Sequence, residues 1–337
     1  MRCAYCAVGE QLRAVEREMM PLDALFAALD ALPTLRTLSI TGGEPFLVRR
    51  VVRDTLRPLL VYAQSRGVKT QVNTNFTLDF DRYAYVADVV DVFHISHNAA
   101  DADSYAHTSF ANMPGASAAI GQRWYEAMQD NARRMADQGA FVSIETMLSP
   151  QTEPHIEQLH ADVVAMGARR HEVHPLYPTS FAKNLPVLDL DRMRALVHRL
   201  LDVHDVRVWM LFGTLPFFPC GNEQDQHLWK RLWAAPQVTV RNDPDGRNRL
   251  NINMFTGSVT VTDFVHAAPI GNVRDTPLEQ LFVRAQAHPD VQSLLCMCAQ
   301  ARCCGPNGLV ARTYYSDVSF LQRTALVTPP LESEVGA

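Results

Sequence analysis

Two hydrophobic periods take turns along this chain. Thr37-Leu38-Ser39-Ile40 is a short β-favouring run that ends in Gly42-Gly43, and a long amphipathic stretch follows it from about Arg49 to Arg66, closed by Gly67. Next come KTQVNTN (Lys69 to Asn75), a helix-like DFDRYAYVAD, the run VVDVFHIS ending at Ser96, and a helical segment from Ser117 to Gln138 closed by Gly139. The rhythm repeats through AFVSIETML, the helix PHIEQLHADVVAMG closed by Gly167, RRHEVHPLY, a helix from Asp191 to His204, and VRVWML. Strands alternating with helices of this length predict parallel β-α-β units, so the fold class is α/β with a closed or partly closed β/α barrel leading. After Leu211 the rhythm breaks. The stretch from Phe212 to Arg249 is rich in Pro, Gly and Asn and shows no clear β-α repeat. LNINMF and SVTVTDF, either side of Thr256-Gly257, then predict a hairpin. This divides the chain into residues 1–211, a smaller region 212–317, and a tail 318–337 whose composition predicts poor order.

Composition narrows the class without choosing a chemistry. At 337 residues, with 47% apolar and 20% charged, this is an ordinary globular chain with room for a large core. A formal net charge of -5 argues against a broad nucleic-acid-binding surface. There is no long apolar run, secretory signal pattern or acyl-anchor pattern, so no membrane role and a cytoplasmic location are expected. The cysteines say more. Cys3 and Cys6 sit at the start, Cys220 stands alone, and Cys296, Cys298, Cys303 and Cys304 crowd together near the end. Disulfide frameworks spread through short secreted chains, whereas clusters of this kind read as metal or iron–sulfur ligands.

In parallel β/α folds, catalytic groups collect at the carboxyl ends of strands. Three places qualify: Thr41-Gly42-Gly43-Glu44-Pro45, Asn73-Thr74-Asn75 and Ser96-His97-Asn98. A GGEP turn alone could be a plain strand-to-helix connection. Combined with Arg2-Cys3-Ala4-Tyr5-Cys6 ahead of it, it resembles the radical S-adenosylmethionine (radical SAM) superfamily. That resemblance implies a partial (β/α)6 barrel lacking its first strand, plus a small cysteine-rich C-terminal domain. It also implies a [4Fe–4S] cluster held by Cys3 and Cys6 and SAM bound at Gly42, Gly43, Glu44 and Pro45, with Tyr5 against the adenine. One electron from the cluster splits SAM to a 5′-deoxyadenosyl radical that takes a hydrogen atom from the substrate.

The superfamily motif is CxxxCxxC, and its first cysteine would fall two positions before Met1. The fold's first strand would also precede Cys3. A start taken at an internal methionine accounts for both; a degenerate, cluster-less homologue is the alternative. Two rival readings of CAYC stand beside these. A redox CxxC needs a strand before it, which residue 3 does not allow; a zinc site stays open, but it would need two more ligands, which the C-terminal cysteines could supply.

LLCMCAQARCCGPNG contains CxCxxxxC in Cys296, Cys298 and Cys303. The region before it, with Gly257 and Ile270-Gly271-Asn272, is similar to SPASM or twitch extensions, which implies an auxiliary iron–sulfur cluster, with Cys304 or Cys220 as further ligands. Thr262 stands where such extensions carry a cysteine. The spacing resembles the radical SAM/CxCxxxxC-motif (YfkAB-like) family over essentially the whole chain. The implied partners are a one-electron reductant such as flavodoxin or ferredoxin and an unidentified substrate, with a peptide or protein favoured. Asn75, Ser96 and Asn98 are expected to touch SAM; Asn73, Ser143, Glu145 and His174 are further candidates at strand ends. His94, His97, His107, His155, His160 and His171 lack metal-ligand spacing and read as surface or packing residues, and Trp124 and Tyr125 as helix core.

Overall fold

The computed structural model describes residues 1–10, 19–113, 115, 117–213, 215–217, 222–241, 248–262, 268–288 and 291. Its elements follow the predicted alternation. They run α1 (Leu22–Asp30), β1 (Thr37–Ile40), α2 (Arg49–Val51), α3 (Arg57–Ser65), β2 (Lys69–Thr74), α4 (Phe80–Ala84), β3 (Val92–Ser96), α5 (Ala102–Ser109), α6 (Ala118–Asp137) and β4 (Val142–Leu148). Then come α7 (Ile156–Ala165), β5 (Arg170–Pro175), α8 (Leu190–Val203), β6 (Trp209–Phe212), α9 (Glu223–Ala234) and β7 (Val238–Val240). The seven strands form one parallel sheet in sequential order, β1 to β7, with β1 and β7 at opposite edges. This is a half-barrel open between its two edge strands.

The predicted helix from Arg49 to Arg66 is one rod with a π-helical turn at Val52–Leu56 between α2 and α3. Pro58 gives the reason: it has no N–H to offer the carbonyl one turn back, and widening the turn absorbs the missing bond. α6 begins where Ser117 accepts the Ile120 N–H, and α8 where Asp189 accepts that of Arg192. The sheet also runs past Leu211. α9 and β7 add a further unit inside the Pro/Gly-rich stretch where sequence periodicity showed none, and β7 extends the sheet beside β6. β7 is only three residues long, too short for a period to register.

Strand alternation sorts the side chains. Val72, Phe93, Ile95, Val142 and Ile144 point outward against Leu56, Leu60, Met128, Ala132 and Met135. Val173, Met210 and Phe212 do the same against Met193, Val197, Leu200, Leu228 and Trp229. The opposite face carries polar and charged residues, and it lines the inside of the half-barrel.

The hairpin forms as expected. β8 (Asn251–Ile252) pairs with β9 (Ser258–Thr260), and β10 (Gly271–Asn272) adds a third antiparallel strand before α10 (Leu278–Gln286). Gly257 sits in the left-handed region at φ 75°, where a Cβ would come 2.5 Å from Asn272 Oδ1. Asn272 in turn donates to Thr256 O at 2.8 Å, so the IGN segment locks the hairpin turn. Val259, Leu278 and Leu281 pack with Met20, Leu25, Leu29 and Leu59, seating this small sheet on α1 and α3.

Candidate active site

The loop after β1 is held by its own glutamate. Glu44 Oε1 accepts from Thr74 Oγ1 (2.7 Å) and Phe46 N (3.1 Å), and Oε2 accepts from Asn75 N (2.8 Å). Burial pushes this carboxyl up, against the pull of the three donors. The carboxylate therefore ties the loop to the end of β2. Gly42, exposed, has φ 135°, and a Cβ there would meet no protein atom within 4 Å. Its glycine is demanded by backbone conformation while the space beside it is open, which fits a ligand lying along the Gly42-Gly43 backbone. Phe76, one residue beyond Asn75, also has positive φ (58°) and is fully buried. Asn131 donates to its carbonyl at 2.8 Å and to that of Leu78 at 2.9 Å, so a strained turn is fixed next to the site.

The cysteine loop lies over the ends of β3 to β5. Arg2 N donates to Ser109 O (3.1 Å) and Ala4 N to Thr108 O (2.8 Å), anchoring it on the last turn of α5. Cys6 N donates to Cys3 O at 3.2 Å, closing a turn between the two cysteines. Burial pushes the Cys3 thiol up to about 11, and a thiolate at Cys6 adds to the cost. Burial raises Cys6 as well. Two soft donors gathered in one tight turn suit an iron–sulfur cluster as far as they go. Among the described residues, no third His, Cys, Asp or Glu joins them in a metal-binding group. Tyr5 packs with Met147, Leu176, Ala182 and Leu185, and its hydroxyl faces Asn98 and Cys3.

The other expected contacts are placed as follows. Asn75 Oδ1 accepts from Thr77 N and Oγ1, and Asn98 Oδ1 accepts from Met147 N at 2.7 Å, so both amide oxygens brace strand ends. Ser96 is half-buried on the inner face, in register with Glu145. Pro45 follows Glu44 in the held loop. Cys296, Cys298, Cys303, Cys304 and Cys220 lie outside the described residues, as do the tail 318–337 and the auxiliary-cluster expectation. Thr262 is fully buried.

The inner face carries more chemistry than the sequence reading assigned to it. Registered pairing puts His94, Ser143 and Arg170 side by side, and Ser96, Glu145 and Glu172 in the next layer towards the site. Glu145 meets His94 Nε2 at 2.9 Å and His174 Nε2 at 3.3 Å. Burial would raise Glu145, but His174 and His94 overcome it and hold the carboxyl well below its usual range. Burial would lower His174, but Glu145 and the Pro175 carbonyl (2.8 Å from Nδ1) raise it, and with an acceptor at each ring nitrogen the geometry favours the doubly protonated ring. Arg170 donates to Ser143 Oγ (2.7 Å) and Gln71 Oε1 (2.6 Å), and Arg241 to Glu172 Oε1 at 2.5 Å. His94 is thus part of a charged network and not a surface residue, a placement that only the period-two alternation of the strand VFHIS could have flagged. Arg170, Glu172 and Arg241 gave no motif.

Behind the sheet, His160 and His171 do pack, as expected, in an ordered chain. Asp205 N donates to His160 Nε2 (3.1 Å), the Nδ1 atoms of His160 and His171 are 3.0 Å apart, and His171 Nε2 meets Thr146 Oγ1 at 3.0 Å. Thr146 Oγ1 donates to His97 O at 2.9 Å, which bonds β4 to the residue before Asn98.

SuiB of Streptococcus suis, solved bound to S-adenosylmethionine, superposes at TM-score 0.59 over 89% of this chain, at 14% identity. This chain spans 66% of SuiB's length. anSMEcpe, solved with bound AdoMet and the Cp18Cys peptide, superposes at TM-score 0.56 over 84% of this chain and 76% of its own, also at 14% identity. The half-barrel is the fold of the radical SAM enzymes. The profile of a YfkB-like domain matches residues 176–325. The protein YfkA of Bacillus subtilis (strain 168) is 46% identical over 328 residues, 96% of this chain and 88% of that protein, and the chain belongs to the YfkA family.

Proposed function

We propose that this protein is a radical SAM enzyme that cleaves S-adenosylmethionine reductively and abstracts hydrogen from its substrate. The observation that carries the reading is Gly42, held in a glycine-only conformation beside open space, in a loop that Glu44 ties to β2, on the same end of the sheet as the cysteine turn. Cys3 and Cys6 would ligate two irons of a [4Fe–4S] cluster; they match the second and third cysteines of the superfamily's motif, whose first stands four positions before the second. When bound, the cluster supplies the electron that splits SAM to a 5′-deoxyadenosyl radical. The chain's own residues bind and orient. The Gly42-Gly43 backbone offers its polar groups to the methionyl end of SAM, Tyr5 and its apolar neighbours offer a face to the adenine, and Asn75, Ser96 and Asn98 line the path between.

A peptide or protein is the favoured substrate. SuiB has been solved bound to the precursor peptide SuiA and anSMEcpe with the Cp18Cys peptide, and the shared fold supports the same class here. The electron would come from a flavodoxin or ferredoxin, and a cytoplasmic site of action suits that partner. No helix among the described residues is long and apolar enough to cross a membrane. Cys296, Cys298 and Cys303 would hold an auxiliary cluster.

The test restores the motif spacing. A chain preceded by Cys-Gly, reconstituted with iron and sulfide without oxygen, is expected to release 5′-deoxyadenosine from SAM under dithionite, and Cys6→Ala to fall to background. The chain beginning at Met1 is expected to bind SAM weakly and make little of that product. A restored chain with an intact cluster spectrum and no 5′-deoxyadenosine overturns the reading.

A further inference from the structure

The cysteine turn is gripped from two sides, and the second side belongs to a distant part of the chain. After β5 the backbone makes a 3-10 turn over Ser180–Asn184. Ser180, buried, takes a positive φ of 52°, a conformation a serine keeps only when its surroundings enforce it. Its Oγ accepts from Glu10 N at 2.9 Å, and Lys183 meets the Glu10 carboxylate at 3.0 Å. Between these contacts, the Phe181 ring lies on the cysteine loop itself. The Arg2 guanidinium stands 5.1 Å from the ring centroid, and a Cβ placed on Gly9 would come within 2.1 Å of the ring. Gly9 is buried and its φ is not in the left-handed region, so the steric demand of Phe181 is the reason a side chain is missing there. Ala182 and Leu185 of the same turn flank Tyr5.

We propose that Phe181 is the positioning residue of the cysteine turn: seated against Gly9 and Arg2, it fixes the loop that presents Cys3 and Cys6 over the strand ends. The physical case is one of local cooperativity. Residues 1–10 form no helix or strand of their own among the described residues, so their order comes from what they dock on. On the α5 side the anchors are Arg2 N to Ser109 O, Ala4 N to Thr108 O and Asn112 N to Arg2 O, with the Asn112 side-chain amide donating to the Arg2 and Cys3 carbonyls at 3.4 Å; all of them fall before Cys6 and leave the later part of the turn unheld. That later part is gripped by residues 180–183 alone among the contacts described. Phe181 falls within the segment matched as YfkB-like, residues 176–325, while Cys3 and Cys6 do not. The cysteine site is therefore composite, completed by a loop of the YfkB-like part.

The proposal rests on the reading of Cys3 and Cys6 as cluster ligands for its meaning, but its test does not, because it reads thiol accessibility in the metal-free full chain. Alkylation by iodoacetamide, followed at Cys3 and Cys6 by peptide mass spectrometry, is expected to speed up about tenfold in Phe181→Ala, as a loop with a lost anchor opens more often. Gly9→Ala, which removes nothing and only drives the ring off, is expected to match it. Phe181→Tyr, which keeps the ring, is expected to stay at the parent rate. The urea midpoint of the whole chain is expected to hold in all three. Unchanged alkylation in both Phe181→Ala and Gly9→Ala overturns the assignment. So does a rise that merely tracks a fall in the urea midpoint, which would make Phe181 an ordinary packing residue. A failure to cleave SAM with the alkylation pattern as expected would remove the catalytic reading and leave this one standing.

Discussion

Single residues at the mouth of the half-barrel are set by two kinds of constraint, backbone conformation and buried charge. Gly42 illustrates the first. Gly42→Val is expected to cost about 1–3 kcal/mol from the φ it must adopt, and to weaken SAM binding by more than about tenfold because its side chain enters the open space. Equilibrium dialysis with labelled SAM, beside a urea melt, separates the two effects. Glu145 and His174 illustrate the second. His174 is raised above its ordinary 6.5, so its contribution to stability is complete below that pH and is lost as pH climbs through the raised value. Glu145 is lowered from 4.5, so its contribution is complete above that pH and is lost as pH falls toward the lowered value. His174→Gln is expected to destabilise the chain by about 3 kcal/mol near pH 6 and to flatten the alkaline-side loss, as read from melting temperature against pH. An unchanged alkaline slope in that variant would refute the pairing. Of these residues the sequence exposed Gly42 and Glu44 through their motif. It exposed Glu145 and His174 only through their places at strand ends, because ion pairs between strands leave no local spacing to read.

At the scale of elements, the long periodic segments were legible and the short ones were not. The helix from Ser117 to Gln138 appeared almost to the residue as α6, since a cap, an amphipathic face and a terminal glycine all agree there. β7 and α9 escaped because their neighbours are turn-rich and β7 has three residues. α5, which carries half of the grip on the cysteine turn, lies in a run with weak amphipathicity and was also unread; only the Asp101–Ser104 capping box marked it. The histidine chain joins α7, β5 and β4 through side chains alone. Burial holds His160 down to about 4, so between that value and 6.5 the unfolded chain takes up the proton first. Stability is therefore expected to drop by up to about 3 kcal/mol as pH falls across that window, and His160→Gln to remove most of the drop. A urea series at about pH 4.5, 5.5 and 6.5 checks it; identical slopes in parent and variant would count against the chain.

Over the whole molecule, the sheet and its helices share cores that ignore the break in rhythm at Phe212. Trp229 and Leu228 of α9 pack in one cluster with Val173 of β5 and Met193 of α8. Trp229→Ala is expected to cost about 3–5 kcal/mol, and the urea transition to stay single when followed by tryptophan fluorescence and by far-ultraviolet dichroism. Two separated transitions would show that α9 and β7 fold apart from the strands before them. The parallel class and the order of strands were legible because each β-α unit repeats the same pattern. The extent of the sheet was not, because its last strand is recognised only by the neighbour it pairs with.

The grip on the cysteine turn has a consequence in time. Residues 1–10 leave the ribosome well ahead of residues 180–183, which form one half of their docking surface and lie 170 positions further along at the Glu10–Ser180 contact. At ordinary elongation rates that half follows roughly 10–40 s later. Through that interval Cys3 and Cys6 travel as exposed thiols on a growing chain, open to oxidants and stray metals. Whatever protects or loads them has a window that closes when the turn after β5 emerges.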